Sequence, residues 1–115
     1  MSDVKTIKVK AAAPPAKPYI YSTEWGSMNG NNTVNVHVRG SIYIGEAPHA
    51  STDWECATDP SFSSGMIWSG YKDTVNKDYW WVTNLAQSTT YYFRIRYYDN
   101  TGKVSQWSDG QMFTT

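Results

Sequence analysis

The sequence predicts an all-β sandwich, on three observations. Apolar residues recur at every second position in several short runs, turn residues separate those runs at even spacing, and no stretch carries a helical period. Aromatic residues make up 16% of the 115 positions, with nine Tyr and six Trp. That is too much large apolar surface for a disordered chain, and the length suits a single domain with one core.

Taken in order, residues 1–10 alternate weakly, with Ile7 and Val9 between Lys8 and Lys10. This is a pattern for one lone strand with no partner in its neighbourhood. Residues 11–18 hold Pro14, Pro15 and Pro18 and read as a semi-rigid extended linker, because proline stops a helix from running through. Residues 1–17 are thus expected to form an extended basic arm and linker, and residues 18–115 the sandwich.

Period two starts at Tyr19, and residues 19–25 form a first strand. Residues 28–32, with Gly30 and three asparagines, are turn material. Val34, Val36 and Val38 then alternate with Asn35, His37 and Arg39, the plainest half-buried strand in the chain. Residues 40–50 are looser, broken by Gly45 and Pro48. Trp54 and Cys56 alternate with Asp53 and Glu55 in a third strand that stops at Asp59-Pro60. Residues 66–69 suit an edge strand, and residues 78–83 an aromatic-rich one. Residues 90–98 are the longest run, with Tyr91, Phe93, Ile95 and Tyr97 on one face and Tyr92, Arg94, Arg96 and Tyr98 on the other. Asn100-Thr101-Gly102 is a hairpin turn with glycine where positive φ is needed. Residues 104–113 return as the last strand, making seven.

The formal net charge is zero, but it is unevenly spread. Through Lys17, four lysines (Lys5, Lys8, Lys10, Lys17) face one acid, Asp3, which leaves +3; the remainder holds six basic and nine acidic residues, which leaves −3. A protein whose main task is nucleic-acid binding needs a basic excess to neutralise phosphates, so that class is disfavoured. Cys56 is the only cysteine, so no internal disulfide forms, and it reads as a small core hydrophobe. The opening Met1-Ser2-Asp3-Val4 lacks an apolar signal core, and no apolar run is long enough to span a membrane. The expectation is a protein made in a cytoplasm, with no membrane partner.

Leu85-Ala86-Gln87-Ser88-Thr89-Thr90-Tyr91 resembles the fibronectin type III signature, in which a Leu ends one strand, a short turn carries a Thr, and a Tyr opens the next. The resemblance implies a seven-stranded antiparallel fibronectin type III/immunoglobulin-like sandwich. In it, Tyr91 would be the corner tyrosine, its hydroxyl bonded to backbone near the turn. The family usually has Pro-Gly where this chain has Gln87-Ser88. Gly102 followed by Ser105-Gln106-Trp107-Ser108 resembles the end of such domains. It also resembles half of the Trp-Ser-x-Trp-Ser box of cytokine receptors. A Trp107 ring between the Arg94 and Arg96 guanidinium planes would explain that pattern physically, with Asp53 and Glu55 facing the same arginines. Thr52-Asp53-Trp54-Glu55-Cys56-Ala57-Thr58-Asp59 resembles fibronectin type III-like domains of tailed-phage virion proteins. Trp54, Leu85, Tyr91, Arg94, Arg96 and Trp107 are thus the structural signature.

Catalytic and cofactor chemistry finds little footing. His37 and His49 are the only histidines, and with one cysteine they offer no zinc spacing. No nucleophile elbow and no phosphate-cradling glycine loop is present. No enzyme activity, metal or cofactor is expected. The phage resemblance implies a structural protein of a virion, made in the host cytoplasm. Its most fitting role is a capsid decoration protein whose arm, through Lys5, Ile7, Lys8, Val9 and Lys10, docks on the major capsid protein. Other readings are a tail, tail-tip or fibre component that self-associates with tail proteins, and a fragment of an extracellular bacterial protein that binds glycans. Tyr43, Trp68 and Tyr71 are the candidate contacts to a glycan or cell surface.

Overall fold

The computed structural model describes residues 12–30 and 32–115. Seven strands follow in order: β1 (Ile20–Met28), β2 (Val34–Gly40), β3 (His49–Ala57), β4 (Met66–Asp73), β5 (Tyr79–Leu85), β6 (Thr90–Asp99) and β7 (Gln111–Thr114). They form two antiparallel sheets, one ordered β1-β2-β5 and the other β4-β3-β6-β7. Among the described residues no helix is long and apolar enough to cross a membrane.

The core sits between the sheets and follows from the alternation. Val34, Val36 and Val38 on β2 are buried, as are Trp80, Val82 and Leu85 on β5. They meet Trp54 and Cys56 of β3 and Tyr91, Phe93, Ile95 and Tyr97 of β6. Trp54 is fully buried, and its indole N–H donates to the Asn76 carbonyl at 2.6 Å, so burial leaves no unpaired donor there. Cys56 is also fully enclosed, and burial pushes its thiol up to about 12.

Three expectations change in detail. The first strand runs three residues further, to Met28, and accommodates Gly26 through register shifts against β2. The asparagine-rich turn does more than reverse the chain. Asn29 and Asn35 exchange side-chain bonds at 2.9 Å, and Asn29 also donates to Asn84 Oδ1 at 2.7 Å. This amide cluster pins the β1–β2 turn to the end of β5, where Asn84 takes a φ of 61°.

The last strand is not continuous from Val104. Tyr98 and Val104 make an isolated bridge, and regular pairing resumes only at Gln111. Between them two serine hydroxyls stand in for ladder carbonyls. Tyr97 N–H donates to Ser105 Oγ at 2.9 Å, and Ile95 N–H donates to Ser108 Oγ at 2.9 Å. Both serines are buried, so these side-chain bonds satisfy the edge of β6 where no strand does.

A candidate docking surface at the strap and the Ser41–Ile44 loop

The arm residues Lys5, Ile7, Lys8, Val9 and Lys10 lie outside the described residues. Residues 12–18 lie along the sandwich and bond to it. Pro15 and Pro18 are buried against the sandwich. Ala16 N–H donates to the Ile44 carbonyl at 2.9 Å, and Ala13 N–H to Glu46 Oε1 at 3.3 Å. Lys17 pairs with Asp109 at 2.8 Å, and Lys103 Nζ donates to the Ala12 carbonyl. The segment is a strap. Its prolines cannot donate to a ladder, so their neighbours make the bonds.

The strap runs beside the loop that joins β2 to β3. Ile42 and Ile44 of that loop are 86% and 67% exposed, and Tyr19 and Tyr21 are 61% and 65% exposed. A groove of about 250 Å³ beneath Ile42 is lined by Arg39, Ser41, Tyr43, His49, Asp78 and Tyr79 among others. A second of like volume is lined by Tyr21, Arg39, Gly40 and Ile42. The groove walls are firmly set. Tyr43 and His49 rings stack at 4.5 Å with 5° between planes, and Tyr43 donates its hydroxyl to the Ala47 carbonyl. His49 also packs on Tyr97, whose hydroxyl donates to the Ser41 carbonyl at 2.5 Å. Burial holds the His49 pKa below the ordinary histidine value and pushes the Tyr97 phenol up to about 12.

The outer face of the larger sheet carries the arginines. Arg94 and Arg96 lie 4.1 and 4.3 Å from the Trp107 ring centre. The stack is longer than the sequence suggested. Arg94 also lies 4.4 Å from the Phe62 ring, and Tyr98 faces both Arg96 and Lys72. Arg94 pairs with Glu55 at 2.6 Å and Arg96 with Asp53 at 2.7 Å. Both carboxylates are buried beneath the stack. Every charge in it has a partner apart from Lys72, whose role is the cation–π contact, so the face is a closed, self-satisfied surface.

The remaining candidates divide. Tyr91 is buried, and its hydroxyl accepts the Ala86 N–H at 2.8 Å, closing the corner after Leu85. Trp68 and Tyr71 sit on β4 at the edge of the larger sheet, 38% and 56% exposed. Trp68 donates to the Thr83 carbonyl at 3.2 Å. Tyr71 donates to Glu55 Oε2 at 2.5 Å, a bond that raises its phenol pKa. The structure brings neither into the groove. Of the three, Tyr43 alone lines it. Sequence reasoning missed Arg39, Asp78 and Tyr79, though Arg39 was visible as the one outward charge on the valine strand. Among the described residues no cluster of His, Cys, Asp or Glu is placed to hold a metal.

No family model matches the chain, and no curated protein matches it. Solved structures do. The structure of a myokine superposes with a TM-score of 0.61 at 10% identity, covering 90% of this chain and 98% of that one. A fibronectin type III-like protein from Clostridium thermocellum gives 0.54 at 14% identity, covering 90% and 92%. Titin module A71 from human cardiac muscle gives 0.50 at 17% identity, covering 89% and 92%. With seven strands in two antiparallel sheets and a tyrosine corner, the chain has the fold of a fibronectin type III/immunoglobulin-like β-sandwich.

Proposed function

We infer that the chain is a non-enzymatic structural protein of a phage virion, a capsid decoration protein that docks by its N-terminal arm and displays the sandwich. The observation that carries this reading is the strap. It ties the chain just after the arm to the sandwich, through Ala12 to Lys103 and Ala13 to Glu46, along a loop whose Ile42 and Ile44 are exposed. An arm with alternating Lys and apolar residues suits addition to a sheet edge on a large partner, with Ile7 and Val9 in a groove. Its lysines speed encounter with an acidic surface, while the domain behind it keeps a −3 balance. The likeness of residues 52–59 to virion modules agrees with this role, and so does a fold that recurs in binding and structural modules.

Deleting residues 1–11 leaves the strap and sandwich intact. Full-length chain mixed with undecorated shells is expected to co-sediment, and the deleted chain to remain in the supernatant. Replacing Lys5, Lys8 and Lys10 with Glu should weaken binding and flatten its salt dependence. Equal binding by the deleted chain refutes arm docking.

A further inference from the structure

Two charges beside the groove under Ile42 stand apart from the pattern elsewhere. Arg94 and Arg96 each hold a buried carboxylate. Arg39 and Asp78 line one groove, yet among the described residues neither makes a salt bridge or a side-chain hydrogen bond. Their positions are fixed by backbone: Arg39 pairs with Tyr79 across β2 and β5, and Gly40 N–H donates to the Asp78 carbonyl at 2.8 Å. A donor fork and an acceptor therefore line one groove without pairing with each other. Aromatic side chains join Gly40, Ser41 and Ile42 in the rest of the lining. Tyr79 is 47% exposed, and the Tyr43–His49 stack forms the far wall.

We propose that this groove binds a neutral oligosaccharide. Sugar hydroxyls are the chemistry that answers both charges, since one hydroxyl accepts from Arg39 while its neighbour donates to Asp78. The apolar C–H face of the ring stacks on the exposed Tyr79 ring. An anionic ligand would meet the Asp78 carboxylate, and a cationic one would meet Arg39. A volume of about 250 Å³ is below that of drug-sized pockets and suits one ring. The second groove of the same volume shares Arg39, Gly40 and Ile42 and is walled by Tyr21, 65% exposed. Arg39 lies 5.7 Å from that ring. Two ring-sized grooves share Arg39, Gly40 and Ile42 as lining, so the occupant is a chain of sugars and not a single one.

The test is saturation-transfer NMR on the full chain with three probes: cellohexaose, maltohexaose and a hexamer of N-acetylglucosamine. At least one is expected to receive saturation and to bind more tightly than its own monosaccharide. Asp78→Asn and Tyr79→Ala should each weaken it about tenfold, a loss the size of one charge-assisted hydrogen bond or one good aromatic contact. Tyr71→Phe, on the β4 edge outside the groove, should leave it unchanged. Transfer to none of the three hexamers overturns the proposal, and so does binding that survives either groove variant. Should Tyr79→Ala fail to fold, Asp78→Asn decides alone, because it changes one atom of a side chain that holds no other group in place. Shell docking is read separately by co-sedimentation, so loss of one activity does not imply loss of the other.

Discussion

Arg96→Met should destabilise the domain by about 3 kcal/mol, at the lower end of the range for breaking a buried ion pair. Asp53 is 1% exposed, and its carboxylate takes three bonds. Arg96 Nε and the Tyr98 hydroxyl donate to Oδ2 at 2.7 and 2.9 Å, and Lys72 N–H donates to Oδ1 at 2.7 Å. Methionine keeps much of the arginine stem against Trp107 but removes the counter-charge. The carboxylate then stays buried with two neutral donors, which holds the loss to the low end. The Arg96 side chain is 29% exposed, so water reaches the site and moderates it further. Asp53→Asn should cost less, about 1–2 kcal/mol, because the amide oxygen keeps the Lys72 N–H bond, the Tyr98 hydroxyl turns to accept from the amide NH2, and the guanidinium finds water. The double variant should lie close to Arg96→Met alone, for a coupling energy of about 1–2 kcal/mol. Urea unfolding followed by tryptophan fluorescence measures all four corners of this cycle. A coupling below about 0.5 kcal/mol would mean that the pair behaves like an exposed one, and the account of a desolvated ladder would be wrong.

Four other outcomes rest on single contacts. Tyr91→Phe strips the acceptor from the Ala86 N–H, whose bond is only part-buried, and should cost about 1 kcal/mol, lowering Tm by several degrees in calorimetry. Gly40→Ala places a methyl against the Tyr97 hydroxyl and 2.7 Å from Ile95 Cδ1, so it should destabilise by about 1–3 kcal/mol in the same assay. Cys56, with its thiol pushed up to about 12, should resist Ellman's reagent at pH 8 in the folded protein and react fully in denaturant. Asp59 is held down to about 2 by bonds from Ser61, Ser63 and Ser64. A carboxylate depressed on folding stabilises above its unfolded pKa and loses that contribution as pH falls through the folded value. The amide shifts of residues 61–64 should therefore hold steady to pH 4 and move only near pH 2.

The sequence made the sheets legible because alternation reports burial directly. Val34, Val36 and Val38 lie inward as their spacing requires, and the Arg94–Trp107–Arg96 stack follows from two arginines on one face of a strand. What stayed hidden depends on register or on long-range docking. Phe62 and Lys72 join the stack from a loop and a separate strand, and no local pattern marks either. Ser105 and Ser108 look like ordinary strand residues; only the pairing shows that their hydroxyls take over from backbone carbonyls. Proline spacing predicted an extended segment for residues 12–18 but could not say what it lies against. Arg39 and Asp78 sit 39 positions apart, and their common groove exists only because β2 pairs with β5.

The strap also sets how the domain would bear load. A pull on the N-terminus meets the Ala12–Lys103 bond first, then Ala13–Glu46, Ala16–Ile44 and Lys17–Asp109, before it reaches the ladder between β1 and β2. These links are few and each is weak, but they reach three separate places on the sandwich: the β2–β3 loop, Lys103 and Asp109. Tension entering through a tether would be spread and dissipated in sequence, so the strap is placed to yield as a buffer while the strands behind it keep their register.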